Sequence, residues 1–495
     1  MFDCRRIFVP SLFLAFLSLP LPDSSAQTGL GDNIILGRPT DESVVVHVLA
    51  DEGTEVFAEF GQMSGSLAER TETLESSDDG TAAIAIDGLD ANTAYDYRVV
   101  YEGSDGRRYG DQHSFRTQTQ RGDTFSFGVQ GDSHPERIGL MYSPDLYART
   151  LDLVADARPD LYFMLGDDFS ISNQLPDYFQ GDRSTLTQQF VDDVYIDQRR
   201  FLGRMGHSTA LFPVNGNHEE ARRSLLGTVM HDVAIFAGRA RSRYFPVPFP
   251  DDFYSGNPEP VEGIGLLGDY FAFEWGDALF IALDPYWHST RVTSPIGGMG
   301  TGTGTSPPWS EIVDQWNALT RSTGDMWDST IGDAQYTWLK TTLEESDARY
   351  KFVFMHHVLG TGRGGIELAT QYEWGGYNDA GEWEFDERRP GWGLPLHPLM
   401  RENGVTIIFQ AHDHLFARQE LDGIVYQSVP NPADDLYNAY NRESYLSGDI
   451  LPNSGYLNVT VSPEQVMVDY IRSYLPEHES DGSRHGETAY SYSVP

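Results

Sequence analysis

Cysteine is almost missing from the 495-residue chain, whose single cysteine is Cys4. That residue lies in a leader-like segment, so the rest of the chain has no disulfide, no thiol nucleophile and no sulfur ligand. Any metal must therefore be held by oxygen and nitrogen. A disulfide-free exported protein of this size suits a bacterial envelope or medium better than a stapled ectodomain. Lysine is nearly as scarce, with only Lys340 and Lys351, and 34 basic groups face 74 acidic ones for a net charge of −40. Such a field repels nucleic acid and anionic membranes, which excludes nucleic acid as a stable partner unless bound cations reverse the sign locally. No long hydrophobic run is present either. The stretch from Ile7 to Leu19 is broken by Pro10 and stopped by Pro20, short of the roughly 20 residues a spanning helix needs, so no stable membrane insertion is expected. With Arg5 and Arg6 ahead of it and Ser24-Ser25-Ala26 behind, it reads as a signal peptide over 1–26 that directs the protein to a secreted or periplasmic location.

Apolar material is ample, at 40% hydrophobic and 13% aromatic residues, and the length calls for at least two domains. Over 30–118, short alternating runs between turn residues (Ser43 to Leu49, Val56 to Phe60, Thr81 to Ile86, Tyr95 to Tyr101) predict a small all-β sandwich. Leu89 to Tyr95, followed by Tyr97, resembles the tyrosine corner of immunoglobulin-like and fibronectin type III domains, with Ala91 where those commonly have proline. An α/β domain is expected over 124–474. Its apolar runs are Phe125 to Gln130, Leu161 to Leu165, Leu211 to Val214, Ala278 to Leu283, Phe352 to Met355 and Thr406 to Phe409. Two aromatic-rich insertions, 285–328 and 360–392, read equally as binding lids or as padding over the sheets. The polar stretch 475–495 is expected to be a loose tail.

Five short blocks follow predicted strands: Gly131-Asp132-Ser133-His134, Gly166-Asp167-Asp168, Gly216-Asn217-His218-Glu219, His356-His357 and His412-Asp413-His414. Each alone is weak, since Asp after Gly is usually a turn and a lone His is usually structural. Five together, in loops where α/β sheets place their ligands, are a metal-binding constellation. Only one of His356 and His357 can face the metals, because successive strand residues point to opposite faces. His356 is the choice by its place in the block.

In order and type these blocks resemble the calcineurin-like metallophosphoesterase family over about 124 to 471, and the sandwich ahead of them looks like the arrangement in purple acid phosphatases and related bacterial enzymes. The resemblance implies a four-layer α/β sandwich, two β-sheets flanked by helices, with two cations at one rim. Asp132, His134, Asp167 and His414 would hold one, and Asp167 would bridge to a second completed by Asn217, His356 and His412. It implies a hydrolase of small phosphoesters, phosphatase or phosphodiesterase, in which a metal-bridging hydroxide attacks phosphorus in line. His218 would stabilise the transition state or protonate the departing oxygen. Iron, manganese, zinc and cobalt all suit such ligands.

Departures matter for subtype. No tyrosine follows the second block, which continues Asp168-Phe169-Ser170, and purple acid phosphatases lack the histidine found here as His134; an obligate ferric ion is thereby in doubt. Ala411 stands where the fifth block ordinarily begins with glycine. Arg137 and Arg363, just beyond the first and fourth blocks, are candidates for contact with a phosphate oxygen. Asp168, Glu219 and Asp413 either support ligands or face solvent. His207, His231, His288 and His397 read as structural. The run Gly297 to Gly302 lacks the Gly-Lys-Ser/Thr of a phosphate loop. The rival function is an extracellular binding or adhesion module with a structural or inactive metal site, which the loss of any of Asp132, Asp167, Asn217, His218 or His414 would favour; none is missing.

Overall fold

Alternation at every second residue decides how the larger domain is layered. In the strand Leu161–Met164, Leu161 and Phe163 enter one apolar core while Tyr162 and Met164 enter another. In Tyr350–Phe354, Phe352 and Phe354 share the first core and Val353 joins a third. Strands buried on both faces must lie between two layers. The computed structural model describes residues 33–171, 183–228, 230–290, 325–359 and 362–495. The expected leader 1–26, the run Gly297 to Gly302, and Trp309 and Trp316 lie outside them.

A six-stranded sheet has the spatial order Ala210–Pro213, Leu161–Met164, Phe125–Gln130, Gly455–Val461, Val466–Arg472, Thr488–Val494, of which the first three are parallel. An eight-stranded sheet is built around the parallel run Ala278–Ala282, Tyr350–Phe354, Ile407–Gln410, Ile424–Ser428. Their inner faces meet in a phenylalanine core. Phe163 stacks on Phe354 with centroids 3.9 Å apart, and Phe127 meets Phe280 edge-on at 5.2 Å. Helices Pro144–Ala157, Gln188–Gly206 and His231–Tyr244 cover the outside of the first sheet, and Gly332–Glu345 and Leu396–Glu402 that of the second. The fold is thus the expected four-layer α/β sandwich. The first helix shows the local logic: Ser143 accepts the Leu146 N–H at 3.3 Å and Pro144 opens the helix, where its missing N–H costs nothing.

Ahead of this domain, one sheet joins Ile35–Gly37, Ser43–Leu49 and Thr81–Asp87, and a second is built on Glu55–Gln62 paired with Ala94–Gly103. The Tyr95 hydroxyl accepts the Asp90 N–H at 2.8 Å, the geometry of a tyrosine corner. The sandwich is bolted to the larger domain by Arg199, fully buried on Gln188–Gly206, which donates to the carbonyls of Asn33, His47 and Tyr244 and, at 3.1 Å, to His47 Nδ1. Tyr97 adds a bond to the His207 carbonyl at 2.6 Å.

One expectation is revised and one open alternative is settled for the described residues. The stretch 475–495 is not a loose tail throughout, because Thr488–Val494 pairs antiparallel with Val466–Arg472 as the edge strand of the six-stranded sheet. The described parts of the aromatic insertions are packing material. Trp327, Tyr372, Trp374, Phe385 and Trp392 are buried in the layer outside the second sheet, and among the described aromatics of the two insertions only Tyr377 and Trp383 are exposed. Among the described residues, no helix is long and apolar enough to cross a membrane.

Candidate metal centre

All five blocks leave the C-terminal ends of parallel strands, so their loops converge on one rim. Two glycines permit that approach. Gly166 has φ of 95°, and a Cβ there would stand 2.3 Å from the Gly216 nitrogen; one on Gly216 would stand 2.3 Å from Asp167 Oδ1. Four candidate ligands themselves adopt left-handed backbone: His134 (φ 52°), Asp167 (59°), His412 (68°) and His414 (52°). Each costs about 1–2 kcal/mol in an L-residue. Strain of this kind gathers where side chains must be aimed.

Asp167 sits centrally. Its Oδ2 lies 3.3 Å from His356 Nε2, 3.6 Å from His134 Nε2 and 3.9 Å from His218 Nε2, while Oδ1 accepts the His218 backbone N–H at 2.7 Å. His356 Nε2 also meets Asn217 Oδ1 at 3.0 Å and His412 Nδ1 at 3.1 Å. On the other side, Asp132 Oδ2 lies 2.8 Å from His414 Nε2, which is 3.2 Å from His134 Nε2. One donor atom from each of Asp132, Asp167, His356 and His412 lies within 4.8 Å of all the others, as do those of Asp132, His134 and His414, and those of His134, Asp167 and His218. All seven expected ligands and His218 are therefore brought together. Strand phase places His356 rather than His357 among them: Phe352 and Phe354 face the inner core, and His356 continues that phase, while Val353 and Met355 face the helical layer with His357 following.

The residues beside the ligands hold the loops in place. Asp168 accepts from Gln130 Nε2 and Ser133 Oγ, tying the second loop to the first. Glu219 accepts the N–H groups of Asp168 and Gly216 at 2.9 and 2.6 Å, tying the second to the third. Asp413 accepts from Arg363, the Gly364 N–H and Tyr445, tying the fifth to the fourth. All three carboxylates are buried, so the solvent-facing alternative is set aside. His134 Nδ1 meets Glu136 at 3.0 Å and His356 Nδ1 donates to the Leu165 carbonyl at 2.7 Å, which directs both Nε2 atoms inward.

The cluster demands positive charge. Burial pushes the Asp132 and Asp167 carboxyls up, but His414 and His356, respectively, lead the neighbours that outweigh it and hold both well below the usual range. Burial likewise lowers His356, yet Asp167 and Asp132 raise it to about 10. With one proton given to the Leu165 carbonyl from Nδ1, the second proton that this raised pKa implies sits on Nε2 facing Asn217 Oδ1, the place a bound cation would take. Oxygen and imidazole donors converging on shared points thus fit resident metal ions.

Arg137 reaches His218 Nε2 at 3.4 Å and Glu136 at 3.2 Å. Arg363 bonds the His412 carbonyl at 2.8 Å and Asp413 at 3.0 Å, within the fifth loop. The histidines outside the blocks have local partners: His288 with Asp269, His397 with Tyr426, His207 stacked on His113. Sequence reasoning passed over Ser170, 3.2 Å from His218 Nδ1, and the pair Arg222 and Tyr286. Their only sequence signal is position, on or just after loops that end strands.

The profile of the family described as calcineurin-like phosphoesterase matches residues 125–416. Among solved structures, a purple acid phosphatase from yellow lupin (Lupinus luteus) is similar with a TM-score of 0.57 at 12% identity, covering 93% of this chain and 73% of that one. The structure of PhoD is similar with a TM-score of 0.59 at 14% identity, covering 91% and 88%. At such identities the likeness is one of fold. No curated protein matches the sequence.

Proposed function

The chain belongs to the calcineurin-like phosphoesterase family, and on that premise we propose that this phosphoester hydrolase is exported, works outside the cytoplasm on small phosphoesters, and uses two cations held by the five-loop cluster. Asp132, His134, Asp167 and His414 would hold one, and Asp167, Asn217, His356 and His412 the other, with iron, manganese, zinc or cobalt all compatible. When bound, such a pair lowers the pKa of a water to near neutrality and offsets charge on the phosphoryl oxygens.

The remaining work belongs to side chains. His218 is 16% exposed where Asp167 is 1%, so it is the imidazole presented to the cleft. Ser170 meets its Nδ1 and Arg137 its Nε2, the nitrogen that would face the departing oxygen. Arg137, beside that nitrogen, is placed to donate to a phosphate oxygen. Arg363, engaged with His412 and Asp413, is better read as a brace for the fifth loop than as a substrate contact. The tyrosine corner supports reading 30–118 as a fibronectin type III-like spacer, and the leader pattern of 1–26 supports secretion or a periplasmic location.

The observation that carries this reading is the convergence of donors from five separate loops into three overlapping groups, the atoms of each within 4.8 Å of one another. Metal content and hydrolysis of p-nitrophenyl phosphate and its bis ester, compared between the intact protein, Asp167→Ala and His218→Ala, test it. Asp167→Ala should lose metal, whereas His218→Ala should keep metal and lose about 10²–10⁴-fold in rate. Full activity in both variants would overturn the assignment.

A further inference from the structure

Beside the ligand cluster stand two groups that the hydrolytic reading leaves without work. Arg222 follows the third block, and Tyr286 follows the strand Ala278–Ala282. The Arg222 side chain is only 9% exposed, yet among the described residues its Nε has no hydrogen-bond partner, and the Glu220 carboxylate oxygen nearest it is 3.9 Å away. Tyr286 is 6% exposed and its hydroxyl also has no partner among the described residues. The guanidinium carbon lies 5.5 Å over the Tyr286 ring, and that ring meets His356 edge-on at 6.0 Å.

A guanidinium withdrawn from water whose nearest carboxylate, that of Glu220, stands off at 3.9 Å is incompletely compensated, and stacking on an aromatic face offsets only part of that cost. A buried hydroxyl without a partner adds to it. Both are held rigidly. Asn215 Nδ2 donates to Asp284 Oδ2 at 2.7 Å, tying the two loops together, and Asp284 Oδ1 accepts the N–H groups of Tyr286 and Trp287 at 2.6 and 3.2 Å. The pair is therefore formed in advance of any ligand, which lowers the ordering cost of binding one.

The Tyr286 ring contacts both Arg222 and the ligand His356, so the pair stands next to the ligand cluster. We propose that Arg222 and the Tyr286 hydroxyl form a subsite for a second anionic group of the substrate. The preferred substrate class is then a phosphoester that carries a further phosphate, such as a nucleoside bisphosphate or diphosphate. This inference rests on the hydrolase reading above and specifies its substrate. A free inorganic anion could present the same chemistry to the pair, and the test separates the two sources.

The metal-loaded protein is assayed on AMP, ADP and adenosine 3′,5′-bisphosphate, with p-nitrophenyl phosphate and its bis ester as a check on the hydrolytic centre. At least one bis-anionic substrate should exceed AMP by about tenfold in kcat/KM, mainly through KM. Arg222→Gln and Tyr286→Phe should lower that ratio, with Arg222→Lys keeping more of it than Arg222→Gln. Calorimetry on the metal-free protein gives an independent readout: adenosine 3′,5′-bisphosphate should bind about tenfold more weakly to Arg222→Gln. Equal ratios in the intact protein and all variants would overturn the subsite, as would inorganic phosphate binding that Arg222→Gln weakens while the substrate ratio stays unchanged. Failure on both p-nitrophenyl phosphate and its bis ester would instead remove the hydrolase reading itself.

Discussion

Acid should weaken the joint between the sandwich and the catalytic domain through His47. Its Nδ1 accepts from the buried guanidinium of Arg199 at 3.1 Å. Burial first, and the Arg199 charge second, lower the His47 pKa from 6.5 to about 3. A proton there would set cation against cation in a space closed to water. The unfolded chain takes up that proton near pH 6.5 while the folded chain resists it, so the stabilisation is complete above pH 6.5 and is lost progressively as pH falls towards 3. At about 1.4 kcal/mol per unit, the native protein should lose about 2 kcal/mol between pH 7 and pH 5 through this one group. His47→Gln retains an acceptor for Arg199 but cannot titrate. Urea unfolding of both proteins at pH 7, 6 and 5, followed by tryptophan fluorescence, should therefore show their stability difference shifting by about 2 kcal/mol in favour of the variant as pH falls. A difference independent of pH would refute the reasoning.

Gly166→Ala would force a Cβ to 2.3 Å from the Gly216 nitrogen at a φ of 95°; melting and metal analysis should show lost stability, on the order of 3 kcal/mol, and reduced metal content. Phe163→Ala removes a ring stacked on Phe212 and Phe354 between the sheets, and denaturant unfolding should report a loss of about 3–5 kcal/mol. Tyr95→Phe leaves the Asp90 N–H without its acceptor; it should cost about 1–3 kcal/mol in the same assay while turnover stays unchanged.

The rim chemistry was legible because each block joins a strand signal to a polar turn, and the strand period then separates His356 from His357. The layering was legible in runs such as Leu161 to Leu165, which are apolar on both faces. What escaped was whatever depends on a distant partner. Thr488–Val494 alternates too, but its outward residues are polar and its identity as a strand comes from pairing with Val466–Arg472. Asp168, Glu219 and Asp413 look like turn residues until the neighbouring loops supply their donors. Arg199 reads as a helix-surface charge, and only the docked sandwich encloses it. Arg222 and Tyr286 are 64 positions apart in sequence, and nothing local in either announces the other.

The central claim is most directly tested by titrating the metal-free protein with manganese, zinc, cobalt or iron while following hydrolysis of p-nitrophenyl phosphate and its bis ester and bound metal together. The account predicts that for at least one of these metals activity rises and breaks at two ions per chain, since the donors of Asp132, His134 and His414 and those of Asp167, Asn217, His356 and His412 form two adjoining sets. Saturation at two ions without hydrolysis, or no binding of any of the four metals, would contradict it and favour a binding module in its place.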